Sequence, residues 1–193
     1  MNFAVFASGC GSNLGAIIEA VREKKISAQL TLVVSDKENA FALQRAKEAN
    51  IPMVFIDPKK YSDRESFDRA IAGHLKKSAI DFVVLAGFMR ILSPYFVQTY
   101  RNKIFNIHPS LLPAFKGAHA IRDAFAAGAK ETGVTVHFVD EEVDHGAIIL
   151  QEAVPISSQD TLETLEAKIH KVEHRIYPKA IELFARGKLK ING

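Results

Sequence analysis

The 193 residues contain no tryptophan and a single cysteine, Cys10. One thiol excludes an intramolecular disulfide and any metal site built from cysteines alone. Long apolar runs are missing too. The opening stretch over residues 1–7 is interrupted by Gly9, Gly11 and Ser12, far short of the ~20 residues that span a bilayer. With no secretory signal at the start, a cytoplasmic protein without membrane contact is expected. Charge of one sign does not dominate either. Lys and Arg number 25 against 22 Asp and Glu, a net +3, and the signs are mixed along the chain. A nucleic-acid groove is therefore not expected, although a small positive balance helps gather small anions. Internal repeats, low-complexity stretches and linkers are likewise lacking, which points to one α/β domain over 1–193.

What is there is an alternation of short apolar runs with helical patterns. Phe3–Ala7, Leu30–Val34, Met53–Ile56, Phe82–Ala86, Lys103–Ile107, Val134–Val139 and Ile148–Val154 read as strands. Helices fit at 12–24, 40–49, 63–77, 94–100, 118–127 and 161–185. Such alternation predicts a mostly parallel, twisted sheet with helices on both faces. No helix separates the last two strands, so they are expected to pair antiparallel near one edge through the loop Glu141–Gly146. Asp160 is expected to cap the final helix, with Glu163 completing a capping box. Leu162, Leu165, Ile169, Val172 and Ile176 form its buried stripe.

The first strand runs into Ser8-Gly9-Cys10-Gly11-Ser12-Asn13, where a helix opens. Glycines allow close backbone approach, and free N–H groups at a helix start attract an anion. The plainer alternative is a tight turn with an N-cap. A Walker loop would need Gly-Lys-Ser/Thr, which is absent, and the dinucleotide fingerprint would need glycine where Leu14 stands. Asp36 after the second strand reads as a turn residue rather than a ribose-binding acid. Cys10 has no base beside it in sequence and reads as a small space-filling residue.

Asn106 and His108 lie two apart at the end of the fifth strand and so share a face, with Pro109 stopping the strand. In open α/β sheets ligands bind at this carboxyl end. An amide donor beside an imidazole suits acyl chemistry, in which an oxyanion develops and a proton must be supplied. Asp144-His145-Gly146 adds a carboxylate able to favour an imidazolium, although Asp-x-Gly by itself is commonly a turn. His137 reads as a core or rim residue without a role.

Taken together, Phe3–Asn13, Leu85–Ser93, Asn106–Pro113 and Gly133–Gly146 resemble, in order and spacing, the glycinamide ribonucleotide formyltransferase family of purine synthesis. The resemblance covers essentially the whole chain. It implies a single-domain Rossmann-like formyltransferase fold, with acceptor phosphate bound in the N-terminal part and folate binding and catalysis in the C-terminal part. It implies transfer of the formyl group of 10-formyltetrahydrofolate, as co-substrate, to the amine of glycinamide ribonucleotide. Asn106, His108 and Asp144 would be catalytic. Gly11, Ser12 and Asn13 would hold the phosphate, and His170 and Glu173 would reach the acceptor. Arg64 would meet the glutamate tail of the folate, whose pocket would be lined by Met89, Arg90, Ile91, Leu92, Val97 and Asn106. The loop Asp140, Glu141, Glu142, Val143 and Asp144 would surround the pterin. Cys10 and His170 depart from the residues the family often carries. No metal is implied, and the oligomer is expected to be a monomer or homodimer.

Related formyltransferases acting on methionyl-tRNA carry an added C-terminal domain, and deformylases an added N-terminal one; neither is expected here. His170-Lys-Val-Glu-His174 matches the H-x-x-E-H pattern of inverted zinc peptidases. A third ligand is not evident downstream, and Tyr177-Pro178 is expected to interrupt the helix. A non-catalytic nucleotide-binding module is the remaining alternative, one that would need neither His108 nor Asp144.

Overall fold

The computed structural model describes residues 1–189. Its elements in chain order are β1 (Asn2–Phe6), α1 (Ser12–Arg22), β2 (Gln29–Ser35), α2 (Phe41–Glu48), β3 (Met53–Phe55), α3 (Arg64–Lys77), β4 (Phe82–Leu85), α4 (Pro94–Thr99), β5 (Ile104–His108), α5 (Ala120–Ala126), β6 (Glu131–Phe138), β7 (Ile148–Pro155) and α6 (Leu162–Ala185). The strands form one sheet in the order β3-β2-β1-β4-β5-β6-β7. The first five run parallel. Both β5–β6 and β6–β7 are antiparallel, so β6 runs against its two neighbours beside the edge strand β7, and the antiparallel pair expected near one edge is present.

Near-continuous apolar strands arise because both sheet faces are covered. Phe3 and Val5 of β1 face one core with Val33, Val84, Phe105 and Ile107, and this core is closed by α1, α2 and α6. Ala4 and Phe6 face the other with Val34, Val83 and Ile104, under α3 and α4. The i, i+3, i+4 spacing of Leu14, Ile17 and Ile18 gives α1 its buried stripe. Strand order reverses between β1 and β4, which opens a crevice at the carboxyl ends of β1, β4 and β5.

Two expectations about α6 are corrected. Its N-cap is Thr161, paired with Thr164 in a capping box. Asp160 instead accepts from Ser157 N and Lys168 Nζ, so its carboxylate is occupied on either side of the cap. The helix also continues through Pro178 to Ala185. Ile176, Tyr177, Pro178, Ala180 and Ile181 are all buried there, and this packing offsets the missing backbone donor.

Tyr177 is fully buried and its hydroxyl donates to the carbonyls of Leu85 (2.7 Å) and Phe105 (3.1 Å). One phenol thus ties α6 to the neighbouring strands β4 and β5. Burial pushes this phenol well above its ordinary range, with Glu173 one turn away acting in the same sense, so it stays a donor. Tyr177→Phe is expected to lower unfolding free energy by about 1–2 kcal/mol, the scale of a buried hydrogen bond lost on one side. Urea denaturation with an unchanged m-value is the check.

Candidate active site

The structure brings Asn106, His108 and Asp144 together. Asn106 and His108 project from the same face of β5, and β6 lies antiparallel beside it with Asn106 opposite His137 and His108 opposite Thr135. Asp144 arrives from the β6–β7 loop in a left-handed conformation, φ 51°, which Asp tolerates better than most residues. Gly146 is required two positions on, because a Cβ there would overlap the Phe138 carbonyl where the loop closes on itself.

The Asp144 side chain is 8% exposed. Its Oδ2 accepts Gly117 N–H at 2.9 Å and lies 3.4 Å from His108 Nδ1. Its Oδ1 lies 3.5 Å from Asn106 Nδ2 and 3.8 Å from His137 Nε2. His108 Nε2 donates to the Phe115 carbonyl at 2.8 Å. Both ring nitrogens of His108 therefore face oxygen atoms, the Phe115 carbonyl at Nε2 and the Asp144 carboxylate at Nδ1.

His137, to which the sequence assigned no role, belongs to this cluster. It is 2% exposed. Its Nδ1 donates to the Phe138 carbonyl at 2.7 Å, leaving the Nε2 lone pair to accept Asn106 Nδ2–H at 3.2 Å. That contact fixes which end of the amide is nitrogen. The signal for it was the alternation Val134, Val136, Phe138 against Thr135 and His137, which puts a polar stripe on one face of β6. Thr135 braces the neighbouring loop, donating to the Ser110 carbonyl (2.6 Å) and accepting Leu112 N–H (3.1 Å).

At the glycine loop, Gly11 has φ 68° and precedes α1, whose start has no side-chain cap and no acidic residue in its first turn. The N-cap alternative is thus not met, and the first N–H groups of the helix keep their positive end for an anion. Gly11 is also fixed by packing, since a Cβ there would lie 2.8 Å from that of Ala42. Asn13 Nδ2 donates to Glu173 Oε2 at 3.1 Å, and Asn13 Oδ1 is buried with no hydrogen-bond partner among the described residues. Glu173 is 6% exposed, and burial raises its pKa above the ordinary carboxyl value, with the Asn13 hydrogen bond and His170 opposing. His170 is exposed; its ring stacks against that of His174 at 6.3 Å. Burial, then His170 and Arg45, lower the pKa of His174.

Cys10 is exposed, not space-filling; its carbonyl accepts Arg45 Nε–H at 3.0 Å. Asp36 is 3% exposed and accepts the Ser8 hydroxyl at 2.6 Å, a structural contact from the end of β2.

The remaining predicted residues lie on α3, on the β4–α4 connection and α4, and in the β6–β7 loop. Met89 and Ile91 are 75% and 60% exposed, whereas Leu92 and Val97 are buried. Arg90 covers the Phe67 ring at 4.9 Å, and its Nε is buried without a hydrogen-bond partner among the described residues. Arg64 is exposed at the start of α3. In the β6–β7 loop, Glu141, Glu142 and Val143 are exposed. Asp140 pairs with His145 at 2.7 Å and accepts Glu142 N–H, and Glu141 accepts Gln98 from α4. Among the described residues no group of three or more His, Cys, Asp or Glu is placed to hold a metal ion. None of their helices is long and apolar enough to cross a membrane.

An amide, an imidazole and a carboxylate thus meet at the end of β5, on the sheet of a formyl transferase. The formyl transferase family model matches residues 1–181, and the chain belongs to that family. The phosphoribosylglycinamide formyltransferase of Bacillus subtilis is 47% identical over 180 residues, covering 93% of this chain and 92% of the relative. The human trifunctional purine biosynthetic protein adenosine-3 is 50% identical over 188 residues, and this chain spans only 19% of its length. The crystal structure of glycinamide ribonucleotide transformylase 1 from Symbiobacterium toebii superimposes with a TM-score of 0.97 at 46% identity, covering 100% of this chain and 91% of that one.

His137 gives this site a pH signature. Burial holds its pKa below the ordinary imidazole value, the Phe138 carbonyl and Asp144 opposing and His108 adding to the shift. The unfolded chain takes up this proton near pH 6.5 while the folded ring resists until lower pH, so its contribution to stability falls as pH drops from about 7 through 6.5. Glu173, raised by burial, works with the opposite sign at lower pH. The difference between parent and His137→Gln isolates the histidine: urea midpoints from pH 7.5 to about 5.5 should fall more steeply in the parent.

Proposed function

We propose that this chain transfers a formyl group from 10-formyltetrahydrofolate to the primary amine of glycinamide ribonucleotide. The observation that carries the reading is the contact of Asn106, His108 and Asp144 at the carboxyl end of β5. The names and near-complete coverage of the bacterial relatives support the substrate pair. Exposed Met89, Ile91 and Val143 supply apolar surface suited to a pterin-bearing molecule. The uncapped start of α1 suits the acceptor's phosphate.

The amine nitrogen attacks the formyl carbon, and the carbonyl π pair moves onto oxygen. Asn106 offers an N–H to that oxyanion: the 3.5 Å contact with Asp144 is too long to hold this proton firmly. His108 offers Nε2–H, the oxyanion replacing the Phe115 carbonyl as acceptor, while Asp144 faces Nδ1 on the other side of the ring. His137 keeps the amide of Asn106 in its donor orientation. Collapse re-forms the carbonyl and breaks the bond to the folate nitrogen. That nitrogen gains a proton as the attacking amine loses one, through water held by Asp144. Orientation of both substrates in one crevice supplies much of the rate.

Asp144→Asn keeps an acceptor oxygen for Gly117 N–H but removes the charge beside His108. The expected outcome is a fall in kcat of at least ~100-fold with a much smaller change in folate affinity. The assay is absorbance-monitored folate deformylation with and without glycinamide ribonucleotide. Turnover independent of the acceptor would replace the transferase reading with that of a deformylase.

The reaction needs no metal in this scheme, and Glu173 of the H-x-x-E-H sequence is engaged with Asn13 instead. Activity is expected to survive exhaustive chelation. Loss of activity that stoichiometric zinc restores would promote the peptidase pattern to a functional site.

A further inference from the structure

Between β4 and α4 the chain crosses the crevice over residues 87–93 without regular secondary structure. Both ends of this span are held by hydrogen bonds that lead to buried carboxylates. At the first end, Ser8 N–H donates to the Gly87 carbonyl (3.0 Å) and Ser8 Oγ accepts Met89 N–H (2.9 Å). The same hydroxyl donates to Asp36 Oδ1 at 2.6 Å. At the far end, Ser93 N–H donates to Asp68 Oδ2 at 2.5 Å. Asp36 and Asp68 are 3% and 1% exposed, and neither has an ion-pair partner within 4.0 Å among the described residues.

Burying a carboxylate is costly, and Arg90 and Arg64 only partly oppose the rise in the Asp68 pKa that burial causes, so the acceptor oxygen that each acid places here should serve a purpose. Capping α4 is not that purpose for Asp68, because Ser93 Oγ already accepts Phe96 N–H. Between the two anchor points, the N–H groups of Arg90, Ile91 and Leu92 make no hydrogen bond to a described residue. They are a row of donors at the crevice, and their positions depend on where the span is fastened.

We propose that Asp36, acting through Ser8, and Asp68 form a two-point clamp that sets the backbone between Met89 and Ser93, and thereby the affinity for the folate co-substrate. This rests on the reading above that the span is a wall of the folate site. Ser8, Asp36 and Asp68 are positioning residues. They act through peptide groups one bond removed from the ligand, where a shift of about 1 Å is enough to lose binding geometry.

Ser8→Ala removes the first anchor, and Asp68→Ala removes the second. Asp68→Asn keeps a carbonyl oxygen for Ser93 N–H. In the full chain, both alanine variants are expected to raise the KM and the equilibrium Kd of the folate about tenfold or more, with saturated kcat changed about threefold at most. The acceptor KM should hold within about twofold in Asp68→Ala, and Asp68→Asn should recover most of the folate affinity. Folate Kd is measured by direct titration with tetrahydrofolate and needs no turnover. Folded alanine variants with parental folate Kd and only a lower melting temperature would reduce the clamp to a structural support and overturn it. If Asp68→Ala fails to fold, Ser8→Ala decides the matter alone. A parent protein that binds no tetrahydrofolate would bring down the folate reading itself, and the clamp's role with it. A parent that binds it as tightly as both variants would remove the clamp alone.

Discussion

The antiparallel pairing of β5 with β6 decides what faces the crevice. In that register Asn106 lies opposite His137 and His108 opposite Thr135, so four polar side chains share one face while Phe105, Ile107, Val134, Val136 and Phe138 pack into the core on the other. A slip of one residue would exchange the two sets, burying the imidazoles among phenylalanines and turning the core outward. Hydrophobic packing therefore enforces the alignment of the polar groups without any contact between them being needed to fold the sheet. The loop carrying Asp144 inherits the same alignment, since it leaves β6 at Phe138 and folds back onto that residue's carbonyl at Gly146.

Much of this was legible in the sequence because it is local. Short apolar runs, the two-residue spacing of Asn106 and His108, and the glycine loop before α1 each declare themselves within a few positions. His137 was not, because its meaning comes from a partner 31 residues away across a strand pairing. The cap of α6 shifted from Asp160 to Thr161 for a related reason: Lys168, two turns along the helix, takes the carboxylate that the local pattern assigned to the helix start. Pro178 misled in the other direction. Local chemistry forbids proline inside a helix, and only the tertiary burial of its neighbours explains why α6 runs on.

Polar groups at the crevice are held by partners that are themselves buried, and this separates the site from the surrounding surface. The Asp144 carboxylate is nearly enclosed and receives a backbone N–H, unlike the exposed turn acid that an Asp-x-Gly sequence suggests. In a medium of low polarizability such contacts are stronger than at a wet surface, and an unmatched one is more damaging. The exposed pairs nearby, such as Asp140 with His145, shape the loop but contribute little to its energy.

Cys10 stands one residue before Gly11, exposed, in a chain with no other cysteine. The protein thus carries a built-in attachment point for a thiol-directed fluorophore beside the uncapped start of α1. A dye placed there would sense, through its emission, the electric field of an anion arriving at the proposed phosphate site. Occupancy of the glycine loop then becomes an optical signal, readable in a stopped-flow instrument before any bond is made or broken.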